Sequence, residues 1–325
     1  MPAASSPLHL LGNFHQMYTG AERELPDLAE CIGNRREVLL WSGEKPLPYY
    51  EKMGVRHIDA AAGQHPRGGM LLLGGVHVPL AQWLPEAKLE RVAVRFNLPR
   101  VERLLGIVSL LRSQTGLEPE VLYASTPLMT AAGWPGIVEP SLIRLEEFLA
   151  VPEERPAGRP FTVGRASRDV MEKHNADDPM LYRMLAARGI RVRIMGGTCL
   201  AGSLAGHEGI ELFETGRESM SDFYGSLDAL IYRTGDFYEP YGRVVFEAMA
   251  SALPVVVARR GGYSEFISEG VEGFVTEGQE QAYDRILQLA GDAAGRKKIA
   301  RAARARAIGL HGPEAIEAMV RYYLR

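Results

Sequence analysis

The sequence predicts an α/β protein built from two Rossmann-like domains in tandem, and three observations carry that expectation. Short apolar runs recur along the chain, each closed by a Gly- or Pro-marked turn and followed by a helix-like segment. At 325 residues the chain is long for one core and comfortable for two. One tract, AVPEERPAGRP at residues 150–160, is rich in proline and poor in apolar residues, and the alternation restarts directly after it.

The strands of the first half are LHLLGNF from Leu8, EVLLWSG from Glu37, GMLLLGG from Gly69, RVAVRFN from Arg91 and EVLYAS from Glu120. The uncharged stretch at residues 68–84 holds His77, Pro79, Gln82 and four glycines, so it reads as a buried strand, a turn and a following helix, not a membrane span. After the linker, FTVGR from Phe161 is a strand. DDPMLYRMLAARG is a helix with an apolar stripe of Met180, Leu181, Met184 and Leu185, stopped by Gly189. RVRIMGG, GIELFET, SLDALIYRT, LPVVVARRGG and EGFVT supply further strands. No short repeat of the kind that builds a solenoid is visible. In open α/β sheets ligands sit at the carboxyl ends of the strands, and two such sheets facing each other would form a cleft.

The bulk numbers exclude several classes. Net charge is −3, without the basic excess of a general nucleic-acid binder. Two distant cysteines, Cys31 and Cys199, are too few for a disulfide framework or a zinc site, which suits a reducing cytosol. The beginning, MPAASSPLHLLGNF, carries no basic leader and its apolar run is short for a signal peptide.

The most informative stretch is DFYEPYGRVVFEAMASALPVVVARRGG, residues 236–262. A polar, aromatic loop leads through Gly242 into a helix whose Val244, Val245, Ala248 and Met249 share one face, with Glu247 at its flank. Glu239 stands in the loop, its backbone limited by Pro240. The first helical turn offers unpaired N–H groups and a dipole that favours an anion, and Gly242 permits close approach. Two carboxylates around an anion-binding helix start suit a ligand with both phosphate and hydroxyls, such as a sugar nucleotide. Arg243 and Glu247 also have the i,i+4 spacing of an ordinary surface pair.

EPYGRVVFEAMASALPVVVARRGGYSE resembles the signature of retaining glycosyltransferases with the GT-B fold: E-P-F-G, an E-A-M-A helix, a G-x-P-V-V strand and a G-G-x-x-E turn. Ala252 replaces a usual Gly, and Tyr241 the common Phe. The resemblance implies two Rossmann-like domains across a cleft and a nucleoside-diphosphate sugar, UDP- or GDP-linked, as substrate, with no cofactor and no metal. It implies that Glu239 contacts the donor sugar and Glu247 the ribose, with Tyr241, Gly242 and Arg243 in the donor site. FTVGRASRDVMEKH resembles the segment in which an Arg and a Lys grip the diphosphate. Arg165 matches that Arg and Lys173 is the choice for the Lys, with Arg168 as the alternative. Fixed cations there would stabilise charge on the departing diphosphate.

In the first domain, HQMYTGAERELPDLAECI resembles the G-G-A-E-R loop over the donor phosphate, with Thr19 for the first Gly and Gly20 as the candidate. PGIVEPSLIRLEEF at residues 135–148 resembles the strand and turn that close that domain. The usual acceptor-side His is missing from AVRFNLPR, leaving Arg95, Asn97 and His77 as candidates. The expected division is residues 1–150, rejoined by the last helix at 313–325, and residues 151–312. The resulting expectation is a metal-independent retaining glycosyltransferase acting on a hydroxyl acceptor in the cytoplasm. The alternatives are a non-catalytic nucleotide-sugar-binding subunit and a GT-B sugar-nucleotide epimerase. Two helices carry a weaker, membrane-surface reading: RKKIARAARARAIG, with six basic residues and no acid, and the amphipathic RVERLLGIVSLLRS. Each also reads as an ordinary solvated or packed helix.

Overall fold

A computed structural model describes residues 6–15, 20–80, 82–156 and 158–325. The chain divides into two compact units, Met1–Ile143 with Pro313–Arg325, and Arg144–Gly312.

The first unit holds a parallel sheet of β1 (Leu8–Gly12), β2 (Val38–Ser42), β3 (Arg56–His57), β4 (Met70–Leu73), β5 (Arg91–Phe96), β6 (Glu120–Tyr123) and β7 (Ile137–Val138), in the order β3-β2-β1-β4-β5-β6-β7. β1 and β4 are buried at every position, which is why β4 is an unbroken apolar run and β1 is interrupted only by His9. β3, two exposed polar residues, has no apolar signature and was not expected from the sequence. The helix Gly20–Ile32 lays Leu25, Leu28 and Ile32 on the sheet. The helix expected after β4 does not form among the described residues. Only a 3-10 turn, Leu84–Glu86, follows, in a stretch punctuated by Pro79 and Pro85.

The last helix, Pro313–Tyr323, contributes Val320 and Tyr323 to this core. Buried Arg95 anchors it. The guanidinium pairs with Glu24 and Glu139 and donates to the Tyr323 hydroxyl at 3.0 Å, and that hydroxyl donates to Glu139 Oε1 at 2.5 Å.

The second unit has a six-stranded parallel sheet: β8 (Thr162–Ala166), β9 (Arg191–Met195), β10 (Ile210–Phe213), β11 (Ala229–Tyr232), β12 (Val255–Ala258) and β13 (Gly273–Thr276), in the order β10-β9-β8-β11-β12-β13. All six coincide with segments read as strands from the sequence. Strand order reverses between β8 and β11, so the crevice outside their carboxyl ends is where a ligand belongs. Residues 144–150, placed with the first domain by the sequence, pack with the second unit instead. Phe148 meets Tyr224 edge-on at 5.8 Å, and Arg304 donates to the carbonyls of Leu149 and Val151. The proline-rich composition of the tract marked a boundary, but the chain crosses before it.

The basic helix, Ala293–His311, turns several cations toward its own unit. Lys297 pairs with Glu154, Arg301 and Arg304 pair with Glu153, and Arg304 also donates to the Ala250 carbonyl. Among the described residues no helix is long and apolar enough to cross a membrane.

Candidate functional site

Three segments of the second unit meet at the reversal point: the end of β8 with the turn after it, the end of β11, and the loop entering the helix Arg243–Ala250. The loop carries Glu239. Its backbone makes a parallel bridge with Gly261, and its carbonyl accepts from Gly262 N at 2.8 Å, so the main chain is fixed on both sides.

Two donors reach one oxygen of the Glu239 carboxylate. Lys173 Nζ lies 2.8 Å from Oε2 and Tyr232 Oη lies 2.7 Å from the same atom. Lys173 comes from a 3-10 turn, Met171–Lys173, and its ammonium sits 3.5 Å from the centre of the Phe237 ring. Burial lowers the Lys173 pKa, against the pull of Glu239 in the other direction. Of the two cations the sequence offered for this place, Lys173 faces Glu239. Arg168 is exposed and pairs with Glu172 at 3.3 Å.

Gly242 caps the helix start with φ 81° and ψ 59°, the left-handed region that L side chains avoid. A Cβ there would stand 2.6 Å from the Tyr263 ring and 3.3 Å from Glu239 Cγ. Glycine therefore allows the turn and the close fit beside the carboxylate. The start of a helix is the end whose dipole favours an anion.

Arg165 differs from its expected place. It has no exposed surface, and its guanidinium is engaged by protein: Nη1 donates to Ser167 Oγ at 2.8 Å, and Nη2 to the carbonyls of Lys173 and Arg233. Its Nε lies 4.0 Å from Asp178, whose other oxygen is 3.2 Å from Arg233 Nη1. Burial raises the Asp178 pKa, and the two arginines oppose that shift. Arg165 stands behind the site as a strut, at the centre of a buried charge cluster. Its residue type matched the family pattern, but its partners Asp178 and Arg233 carried no motif to announce them.

Tyr241 also turns away. Its ring stacks on Phe246 at 4.5 Å and its hydroxyl bonds His311 Nε2 at 2.8 Å. Burial, with Arg243 nearby, lowers the His311 pKa to about 3, so the imidazole is neutral. An aromatic before the cap glycine fills the core under the loop. Glu247, expected at the flank of its helix, is only 3% exposed. It accepts from Tyr224 Oη at 3.2 Å and lies 3.9 Å from Arg243 Nε.

In the first unit the candidates separate. Arg95 is consumed by the buried network that holds the last helix, so it is not an accessible acceptor-side residue. Asn97 Nδ2 donates to the Gly74 carbonyl at 3.2 Å and stays half-buried. His77 is exposed, with Arg103 Nη1 2.6 Å from its Nδ1; burial of its ring and the nearby Arg103 and Arg100 lower its pKa. Gly20 opens the first helix, while Thr19 and the rest of the preceding loop, residues 16–19, lie outside the described residues. Sequence reasoning missed Tyr232, Phe237 and Tyr263; for Tyr232 the available signal was an aromatic at the carboxyl end of an apolar strand.

Residues 200–306 match the family described as glycosyl transferases group 1, a span that includes Glu239, Gly242 and Glu247 but not Arg165 or Lys173. A stretch of 79 residues is 35% identical to D-inositol 3-phosphate glycosyltransferase of Streptomyces griseus, covering 24% of this chain and 16% of that protein. Spore coat protein SA of Bacillus subtilis is 34% identical over 74 residues, 22% of this chain and 20% of that one. The matches thus span a fifth or less of the length of these curated relatives. Among solved structures, Anabaena HepE in complex with UDP and glucose is 16% identical, with 98% of each chain covered and a TM-score of 0.75. Sucrose-phosphate synthase of Thermosynechococcus elongatus is 15% identical, with 98% of each chain covered and a TM-score of 0.73. At that identity the likeness is one of fold, and the fold is GT-B: two parallel-sheet α/β units.

Proposed function

We propose that the protein is a retaining glycosyltransferase that moves a sugar from a nucleoside-diphosphate sugar, UDP- or GDP-linked, to a hydroxyl acceptor without a metal. The observation that carries this reading is the Lys173–Glu239 pair beside the Gly242-capped helix start, at the carboxyl ends of β8 and β11. In this reading Glu239 accepts a hydrogen bond from the donor sugar. Lys173 has three N–H donors. One holds Glu239, and the others meet the diphosphate together with the first-turn amides of the helix. Glu247 addresses the ribose.

The bond from anomeric carbon to phosphate oxygen breaks as the acceptor oxygen attacks from the same face. The departing phosphate oxygen takes the acceptor's proton. Negative charge grows on that oxygen where Lys173 and the helix start already stand, and preorganised positive groups of this kind supply the largest share of such rate enhancements. Arg165 contributes by fixing the Lys173 carbonyl and the end of β11.

Incubating the protein with UDP-glucose, UDP-N-acetylglucosamine, GDP-mannose and related donors, with mass-spectrometric detection of nucleoside diphosphate, tests the proposal. Slow hydrolysis of one donor, unaffected by EDTA, is expected; a stringent metal requirement would overturn the metal-free mechanism. The withdrawal of Arg165 into the interior favours a second reading, a non-catalytic nucleotide-sugar binder. Tight binding without any turnover would select it.

A further inference from the structure

The Glu239 carboxylate has two oxygens, and the described residues direct both of their donors to one of them. Lys173 Nζ and Tyr232 Oη converge on Oε2 at 2.8 and 2.7 Å, while Oε1 takes no hydrogen bond from the described residues. Tyr232 is the last residue of β11, 2% exposed, and its ring is confined on two sides. The Arg165 guanidinium lies 5.0 Å from the ring centre, and Tyr263 meets it edge-on at 5.6 Å and 85°. Arg165 Nη2 in turn donates to the carbonyl of Arg233, the residue after Tyr232, and to that of Lys173. The Tyr263 ring occupies space that a side chain at Gly242 or Gly261 would invade. The hydroxyl of Tyr232 is therefore held in one place by packing that does not itself touch the carboxylate.

We infer that Tyr232 is a positioning residue: its hydroxyl pins Glu239 Oε2 together with Lys173 and so leaves Oε1 to accept from the donor sugar. The inference rests on the assignment of Glu239 to the sugar. A lysine alone would hold the carboxylate through a flexible stem, and that same lysine is needed at the diphosphate. A buried phenol at the end of a strand supplies a rigid second donor. When the ammonium turns toward phosphate, the phenol keeps the carboxylate in register.

The test is Tyr232→Phe in the full chain, which removes one oxygen and keeps the ring between Arg165 and Tyr263. Donor turnover is followed with UDP-glucose and GDP-mannose, and binding of UDP and GDP alone by calorimetry. Loss of a hydrogen bond to a charged group corresponds to about a 10- to 100-fold fall in kcat. The Kd of the bare nucleotide is expected to stay close to wild type, with the melting temperature shifted by no more than a few degrees. A wild-type kcat in Tyr232→Phe overturns the inference. So does a variant whose only defect is a lowered melting temperature, since that is what a packing role predicts. A double variant with Lys173→Met adds a second readout. Two donors sharing one oxygen should give effects on kcat that do not multiply, and strictly multiplicative losses would contradict the shared role. If the wild-type protein neither binds nor turns over any nucleotide sugar, the assignment of Glu239 fails, and this inference falls with it. Wild-type turnover with an indifferent Tyr232→Phe removes only the inference.

Discussion

Arg165 places a full positive charge where no solvent reaches, and two main-chain carbonyls take their side-chain hydrogen bond from it. Its removal leaves the carbonyls of Lys173 and Arg233 without their donor and Asp178 with a single cation. Breaking a buried charged cluster from one side typically costs about 3–5 kcal/mol. Arg165→Ala is expected to lower stability by that order in urea denaturation, and Arg165→Lys should not restore it, because an ammonium cannot reproduce the planar fork. Unchanged stability with only turnover affected would return Arg165 to direct contact with the ligand. The residue type was legible in FTVGR, yet its environment was not. Whether a guanidinium at the end of a strand reaches solvent or folds back onto main-chain carbonyls depends on Asp178 and Arg233, which are distant in sequence. Lys173 shows the opposite outcome: an ambiguous spacing in the sequence resolves to one ammonium against Glu239.

The loop and helix around residues 236–250 set the geometry that the side chains use. Gly242→Ala must hold a left-handed backbone with a Cβ 2.6 Å from the Tyr263 ring. Such strain costs on the order of 1–3 kcal/mol. Thermal unfolding should report that loss, and a neutral result would contradict the tight fit of the cap against Tyr263. Beneath the loop, the Tyr241–His311 bond makes this element sensitive to acid. His311 has a folded pKa near 3 against an ordinary 6.5, so the fold favours the neutral ring. Its contribution is complete above about pH 6.5 and is lost as pH falls toward 3, because the unfolded chain takes up the proton first. His311→Gln cannot take up that proton. The stability gap between wild type and His311→Gln, measured by urea denaturation, should narrow steadily from pH 7 to pH 4. His174, lowered to about 4 by burial first and by Arg165 next, follows the same direction in both proteins and cancels from the difference. A constant gap would contradict the neutral state of the buried ring. The helix itself was evident from Val245, Ala248 and Met249. The inward turn of Tyr241 was not, since an aromatic beside a glycine reads equally well as a ligand contact.

Across the whole molecule, legibility follows burial. Central strands such as β4 and β11 are covered on both faces, so their sequences are continuous apolar runs and both were found. β3 at the sheet edge needs no apolar residue and left no trace. The return of the last helix to the first unit depends on Arg95, Glu24, Glu139 and Tyr323, four residues that no local pattern connects. That network also removes Arg95 from the expected acceptor candidates, leaving Asn97 and His77. Glu239, Lys173, Gly242 and Glu247, the residues proposed to hold the donor, all belong to the second unit. Calorimetric titration of wild type and Glu239→Gln with the preferred nucleotide sugar, and with its nucleoside diphosphate, separates the sugar from the rest of the ligand. The expected result is that Glu239→Gln binds the bare nucleoside diphosphate as wild type does but loses the extra affinity conferred by the sugar, about 1.5–3 kcal/mol for a charged hydrogen bond. Equal affinity of both proteins for the intact nucleotide sugar would contradict the assignment of Glu239 to the sugar.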